Sequence, residues 1–170
     1  MRGIRENYFQ ALNARGRFTR EEKQRVQGLL SDIFAIKEET EQKALALGIA
    51  QSCRASIPVC KGECCRLHFP KTFTAVDFII AVEGLAPAQI ENLTNQINRD
   101  QPQNRKCMFQ KPDGCLLAFY NRPMVCTNAY PCFMSRAYWE FKEDGNRRAK
   151  PIFGALERLI LSNDQAHCTR

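Results

Sequence analysis

The chain has 170 residues, 44% of them apolar and 25% charged, which suits one globular domain and excludes wholesale disorder or collagen-like sequence. No apolar run approaches the roughly 18 residues of a membrane span. The formal net charge is +7, but Glu6, Glu21 and Glu22 dilute the basic residues near the start. Arg147, Arg148 and Lys150 stand far along the chain, so a solvated basic face is expected rather than a nucleic-acid partner.

In chain order, Met1 to Gln10 (MRGIRENYFQ) has neither an apolar core nor a small-residue cleavage site, so no secretory leader and a cytoplasmic location are expected. Thr19 to Gln51 reads as a long N-terminal helix. Thr19 and Glu22 form a capping box, in which hydroxyl and carboxylate satisfy backbone donors reciprocally. Val26, Leu29, Leu30, Ile33 and Phe34 follow at helical spacing, and Ala44 and Leu47 resume the stripe. Lys37 with Glu41, and Glu39 with Lys43, are four residues apart and are expected to pair on the outer face.

Cys53 to Pro70, with Pro58, Gly62 and four cysteines, has no sustained period and reads as a loop. Thr74 caps a helix over Ala75 to Gly84, and Pro87 opens another that runs to about Arg99. Residues 100–106 are a polar connector. Pro112-Asp113-Gly114 is a turn sequence, so Cys107–Gln110 and Cys115–Tyr120 are expected to form a short hairpin. A loop follows, then a helix from Cys132 to Asp144 stopped by Gly145, and a last helix from Pro151 to about Ser162. The expectation is a mainly α single domain over residues 1–170, its helices packed around cysteine-rich loops and a short β-hairpin.

Nine cysteines call for an explanation. In a reducing compartment thiols stay thiols, and an odd count does not close a disulfide framework, so metal binding is the leading reading. Eight fall into two groups, Cys53, Cys60, Cys64 and Cys65, then Cys107, Cys115, Cys126 and Cys132; Cys168 is third from the end. Sets of four thiolates hold zinc or iron–sulfur clusters, and turns let the chain converge them on one point. Cys64 and Cys65 are adjacent, so either they serve different metals or one is a resolving thiol.

Cys107-Met-Phe-Gln-Lys-Pro-Asp-Gly-Cys115, then Phe119-Tyr120-Asn121-Arg122-Pro123-Met124-Val125-Cys126, then Tyr130-Pro131-Cys132 resembles the YkgJ-type cysteine-cluster proteins. These are described as zinc- or iron-chelating domains with a CxxCxxCC signature. Upstream, Cys60-Lys-Gly-Glu-Cys64-Cys65 is similar to the family's double cysteine, with three residues rather than two before the pair. The resemblance spans about residues 53–135, the expected cysteine-cluster core. Flagellin lysine N-methylases carry a similar cluster, taken to be iron–sulfur, but this chain shows no glycine-rich cofactor loop and methylation is not carried over. The resemblance implies metal chelation and leaves the activity open; Cys53 lies farther upstream than its motif expects, and the eight cysteines of the two groups are the candidate ligands.

The closest functional analogy favours a [4Fe–4S] cluster, and Zn is the alternative. Only two histidines are present, and His68 reads as a loop residue rather than a ligand. Pro123 pushes Arg122 to an extended conformation, from which its guanidinium can offset the negative field of a thiolate cluster; Arg122 is the candidate cofactor-contacting residue. Phe109, Phe119, Tyr120, Tyr130 and Phe133 read as ordinary core or as a dry shell around the centre. The expected function is a metal-binding protein with a structural or electron-transfer role and an unidentified protein or redox partner. A cluster-dependent redox or group-transfer enzyme is the second class, although no nucleophile–histidine or acid–base motif supports it. A disulfide-stapled exported module is the third.

Overall fold

The computed structural model describes residues 3–60, 73–99, 107–111, 114–126, 130, 132–133 and 135–165. The architecture is mainly α, as the sequence predicts. Helix α1 (Ile4–Arg17) opens on a backbone N–H of Gly3 that donates to the Glu6 carboxylate at 2.9 Å. The sequence signals above do not predict this helix. Tyr8, Ala11 and Ala14, three residues apart, are its buried face.

Helix α2 (Arg20–Ala46) begins at the expected capping box, with the Glu22 N–H donating to Thr19 Oγ1 at 3.2 Å and the Thr19 N–H to the Glu22 carboxylate at 2.8 Å. The single helix expected to Gln51 instead ends early. Gly48 takes a positive φ of 70°, a left-handed conformation that glycine adopts without a Cβ clash and that commonly stops helices. The chain turns there into α3 (Ile49–Cys60). Cys53 and Cys60, expected in a loop, therefore lie on a helix that tolerates Pro58 inside it. Leu47, expected to continue the apolar stripe, is exposed beside this break.

Helix α4 (Ala75–Val82) carries the expected Thr74 cap and is buried on every face, so it forms the centre of the domain. Helix α5 (Pro87–Arg99) starts at the proline, as anticipated, and buries Leu93 and Ile97. The hairpin is shorter than its sequence suggested. Strands β1 (Gln110–Lys111) and β2 (Gly114–Cys115) pair antiparallel with Gln110 opposite Cys115, and the Leu116 N–H extends the pairing to the Phe109 carbonyl at 2.7 Å. A 3₁₀ turn follows over Phe119–Asn121.

The two C-terminal helices expected from the sequence are one, α6 (Arg136–Gln165), with Gly145 and Pro151 inside it. Gly145 is a packing residue rather than a stop. A Cβ built there would stand 3.3 Å from Ile36 Cγ2 and from Thr40 Oγ1 of α2, so its absence lets the two longest helices approach. The main core joins α1, α2, α4, α5 and α6 through Tyr8, Ile33, Phe78, Ile79, Leu93 and Leu156. A smaller core of Ala44, Ile49, Ala50 and Tyr138 fastens α3 to α2 and α6.

The charge pairs expected on the outer face of α2 are also corrected. Lys37 is 0% exposed and Glu41 7%, and each turns inward to other partners. Glu39 pairs with Arg148 of α6, and the Lys43 ammonium stands over the Phe141 ring. Spacing of i,i+4 brings side chains together but says nothing of which face of a helix is covered.

Candidate metal centre

The hairpin brings two cysteines together. Cys107 lies in the main core, and its carbonyl accepts the Gln110 N–H at 2.9 Å, closing a turn into β1. Cys115 ends β2 opposite Gln110, within the electrostatic reach of Cys107. Burial pushes the Cys107 thiol up from 9.0 to about 11, and the neighbouring Cys115 adds to this; the Phe109 and Gln110 N–H groups pull the other way. A thiol so raised keeps its proton until a cation offsets the charge of the thiolate.

Cys126 sits on the strap that follows. The 3₁₀ turn leads into Arg122, whose φ of −71° and ψ of 143° are the extended conformation expected before a proline, and Pro123 is fully buried. The Cys126 N–H then turns back to the Pro123 carbonyl at 2.9 Å. Two buried charges hold this strap from below. Lys37 Nζ donates to the carbonyls of Tyr120 and Arg122, each at 2.6 Å. Asp77 of α4 accepts the Met124 N–H and also caps its own helix through Thr74. Burial lowers the Lys37 ammonium to about 8, against the attraction of Asp77 and of Cys126. Burial likewise raises the Asp77 carboxyl, against the Thr74 donors, Lys37 and the Met124 N–H.

A third support is Asn121, whose Nδ2 donates to the Ile80 carbonyl at 3.0 Å. Its side chain occupies the space that a Cβ on Gly84 would fill, with ideal separations of 2.2–2.6 Å. Arg122 Nε donates to the Leu117 carbonyl at 3.3 Å, so this donor of the expected cluster-facing guanidinium braces the strap itself.

The remaining described cysteines belong to another neighbourhood. Glu41 accepts from Arg54 of α3 at 2.8 Å and from the Tyr130 hydroxyl. One carboxylate thereby ties the helix of Cys53 and Cys60 to the segment of Cys132. Cys53 and Cys60 are half-buried, and Cys132 is exposed. Of the expected aromatic shell, Phe109 is core, Phe119, Tyr130 and Phe133 are half-buried, and Tyr120 is exposed with its hydroxyl on Glu38.

Cys107 and Cys115 are thus neighbours, and Cys126 lies beside Lys37. Among the described residues, no three His, Cys, Asp or Glu side chains are gathered as a metal ion requires. Cys64, Cys65, His68, His167 and Cys168 lie outside the described residues. The six described cysteines carry thiols, with no disulfide among them.

Sequence reasoning missed Lys37, Asp77 and Glu41. A signal for Lys37 was present: Val26, Leu30, Ile33, Lys37, Thr40 and Ala44 run at intervals of 4, 3, 4, 3 and 4, the period of one buried helix face. No family model matches the chain, and neither does any curated protein or solved structure.

Proposed function

We propose that this chain binds a metal centre through cysteine thiolates, an iron–sulfur cluster with a structural or electron-transfer role. The observation that carries the reading is the pair Cys107 and Cys115 on one hairpin, within electrostatic reach of each other, with Cys107 buried in the core. Soft thiolates in such a setting suit iron–sulfur clusters and zinc. Cys107 and Cys115 would supply ligands from the hairpin, with the further ligands drawn from Cys126, Cys132, Cys53, Cys60, Cys64 and Cys65. The resemblance to the YkgJ-type pattern supports the same ligands. A bound cluster would supply one-electron chemistry. The chain's own residues would supply the thiolates, a strap that fixes Cys126, and the dry wall of Phe109 and Leu117, both buried.

Purification without oxygen, followed by iron, acid-labile sulfide and zinc analysis and a visible spectrum, tests this. Brown protein with iron and sulfide in equal amounts is expected. Colourless protein with stoichiometric zinc would replace the cluster with a structural zinc site. Folded protein lacking both metals would end the reading. Cys115→Ser and Cys126→Ser should each lower metal content and folded yield, and unchanged occupancy in both would remove these residues from the ligand set.

A further inference from the structure

Two backbone devices bring Cys107 towards Cys115. The Gln110 N–H closes a turn on the Cys107 carbonyl at 2.9 Å, and such a turn holds its first and fourth Cα atoms within about 7 Å. Gln110 in turn faces Cys115 across the antiparallel pair, where opposed Cα atoms stand about 4.5–5.5 Å apart. The Cys107 sulfur is folded onto this same residue, since it accepts the N–H groups of Phe109 and Gln110, and it feels the charge of Cys115. Among the described residues no third His, Cys, Asp or Glu side chain joins these two as a metal ion requires. What the hairpin builds by itself is a dithiol.

The pair is asymmetric. Cys107 is 8% exposed within the main core, whereas Cys115 is half-buried at its margin. A reagent from solvent therefore meets Cys115 first, and Cys107 is reached from within the chain. Cys53 and Cys60, by contrast, are seven residues apart on α3. That is about 10.5 Å along the helix, beyond the roughly 7 Å between Cα atoms that a disulfide spans.

We infer that Cys107 and Cys115 form a reversible dithiol–disulfide couple, with Cys115 the entering thiol, Cys107 the resolving thiol, and a small-molecule disulfide of the glutathione type the oxidant. The Cys115 thiolate attacks one sulfur of the small disulfide, the mixed disulfide forms, and one small thiolate leaves. Cys107 then attacks the Cys115 sulfur, the protein disulfide forms, and the second small thiolate leaves. The protons of the two cysteines pass to the two leaving thiolates. Two protein thiols are thereby oxidised to one disulfide, and one small disulfide is reduced to two thiols. The closed form staples the chain from 107 to 115 and withdraws both sulfurs from any other partner, a metal included. The couple does not depend on the metal reading.

The test equilibrates the full chain anaerobically with mixtures of reduced and oxidised glutathione, a chelator being present so that no metal competes. Free thiols are then blocked with iodoacetamide, and chymotryptic fragments are mapped by mass spectrometry. Cuts after Phe109 and Tyr120 leave Cys107 and Cys115 on separate fragments and part both from Cys126, so only a disulfide rejoins the first two. The joined fragment should be the main intrachain product, and excess reduced glutathione should open it. The ratio of squared reduced to oxidised glutathione at half conversion should be about tenfold or more higher for the folded chain than in urea, because the fold holds the thiols together. Equal ratios overturn the inference, as does a lasting glutathione adduct on Cys115 beside an alkylated Cys107. Disulfides that join other cysteines while these two stay free overturn it as well.

The order of attack has its own readout. Cys107→Ala should accumulate the glutathione adduct on Cys115, and Cys115→Ala should leave Cys107 without one while the chain is folded by far-ultraviolet circular dichroism. An adduct that forms on Cys107 as fast as on Cys115 overturns the assigned roles. Should Cys107→Ala fail to fold, the wild-type chain decides alone: the mixed disulfide captured early in its time course must sit on Cys115.

Discussion

A buried carboxylate is tolerable only when its oxygens are filled by donors, and Glu41 shows how far one such residue can reach. Its two oxygens take Arg54 and the Tyr130 hydroxyl, joining α2 to α3 and to the segment ahead of Cys132. Burial, and then the hydrogen bond and charge of Glu41, raise the Tyr130 phenol well above its ordinary 10.0. A raised acid holds its proton more tightly in the folded state. The stability it contributes is whole below pH 10 and is lost as pH climbs towards the folded value. Glu41→Gln should cost about 1–3 kcal/mol in urea unfolding near neutral pH, the range for disturbing buried hydrogen bonds to a charged group. It should also let Tyr130 ionise at lower pH, so tyrosinate absorbance should rise earlier in an alkaline titration than in the wild type. An unchanged titration would mean that burial alone holds the phenol. Gly84 makes a second, steric point at this scale. Gly84→Ala places a methyl group where the Asn121 side chain lies, so Asn121 must leave the Ile80 carbonyl. A loss of about 1–3 kcal/mol is expected from such overpacking, read as a fall in the urea midpoint.

Among the elements, glycine and proline mattered most and were the hardest to read. Gly48, Gly145 and Pro151 all sat in helical patterns, yet only Gly48 ends a helix, through its positive φ. Gly145 looked like a stop because glycine commonly follows a helix end, but its lack of a side chain serves the contact between α2 and α6. Nothing local distinguishes those roles, since the partner helix lies about a hundred residues away in the chain. Caps, by contrast, are local, and Thr19, Thr74 and Pro87 marked helix starts correctly from sequence. The hairpin was legible for the same reason. The candidate site was legible as a list of cysteines and as the extended Arg122, whereas Lys37, Asp77 and Glu41 were hidden by the habit of placing charges outside. The two glycine environments predict opposite outcomes. Gly28→Ala, on an exposed face of α2 with open space at its Cβ, should raise stability by about 1 kcal/mol through helix propensity. Gly145→Leu should lower it by about 1–3 kcal/mol, because the added bulk drives α6 off Ile36 and Thr40. Thermal unfolding followed by circular dichroism separates the two signs.

At the level of the whole molecule, the question is whether a metal centre would build this fold or be held by it. Very small metal modules unfold when stripped because they lack an adequate apolar core. Here the main core runs through α1, α2, α4, α5 and α6, and of the described cysteines only Cys107 is buried in it; Cys115 and Cys126 pack at its margin. Loss of the centre should therefore loosen the hairpin and strap while the helices stay together. Stripping the metal-loaded chain with a chelator should leave the far-ultraviolet helical signal nearly unchanged and lower Tm. Hydrogen exchange should rise first in residues 107–111 and 114–126, and remain slow in α4, whose every residue is buried. The pinned strap gives the prediction a second side, because Lys37 and Asp77 need no metal to keep their bonds to it. Exchange should accordingly rise more at the hairpin, around Leu116, than at Met124. If stripping abolishes the helical signal, the helical core depends on the metal, and the division of labour between core and centre is wrong.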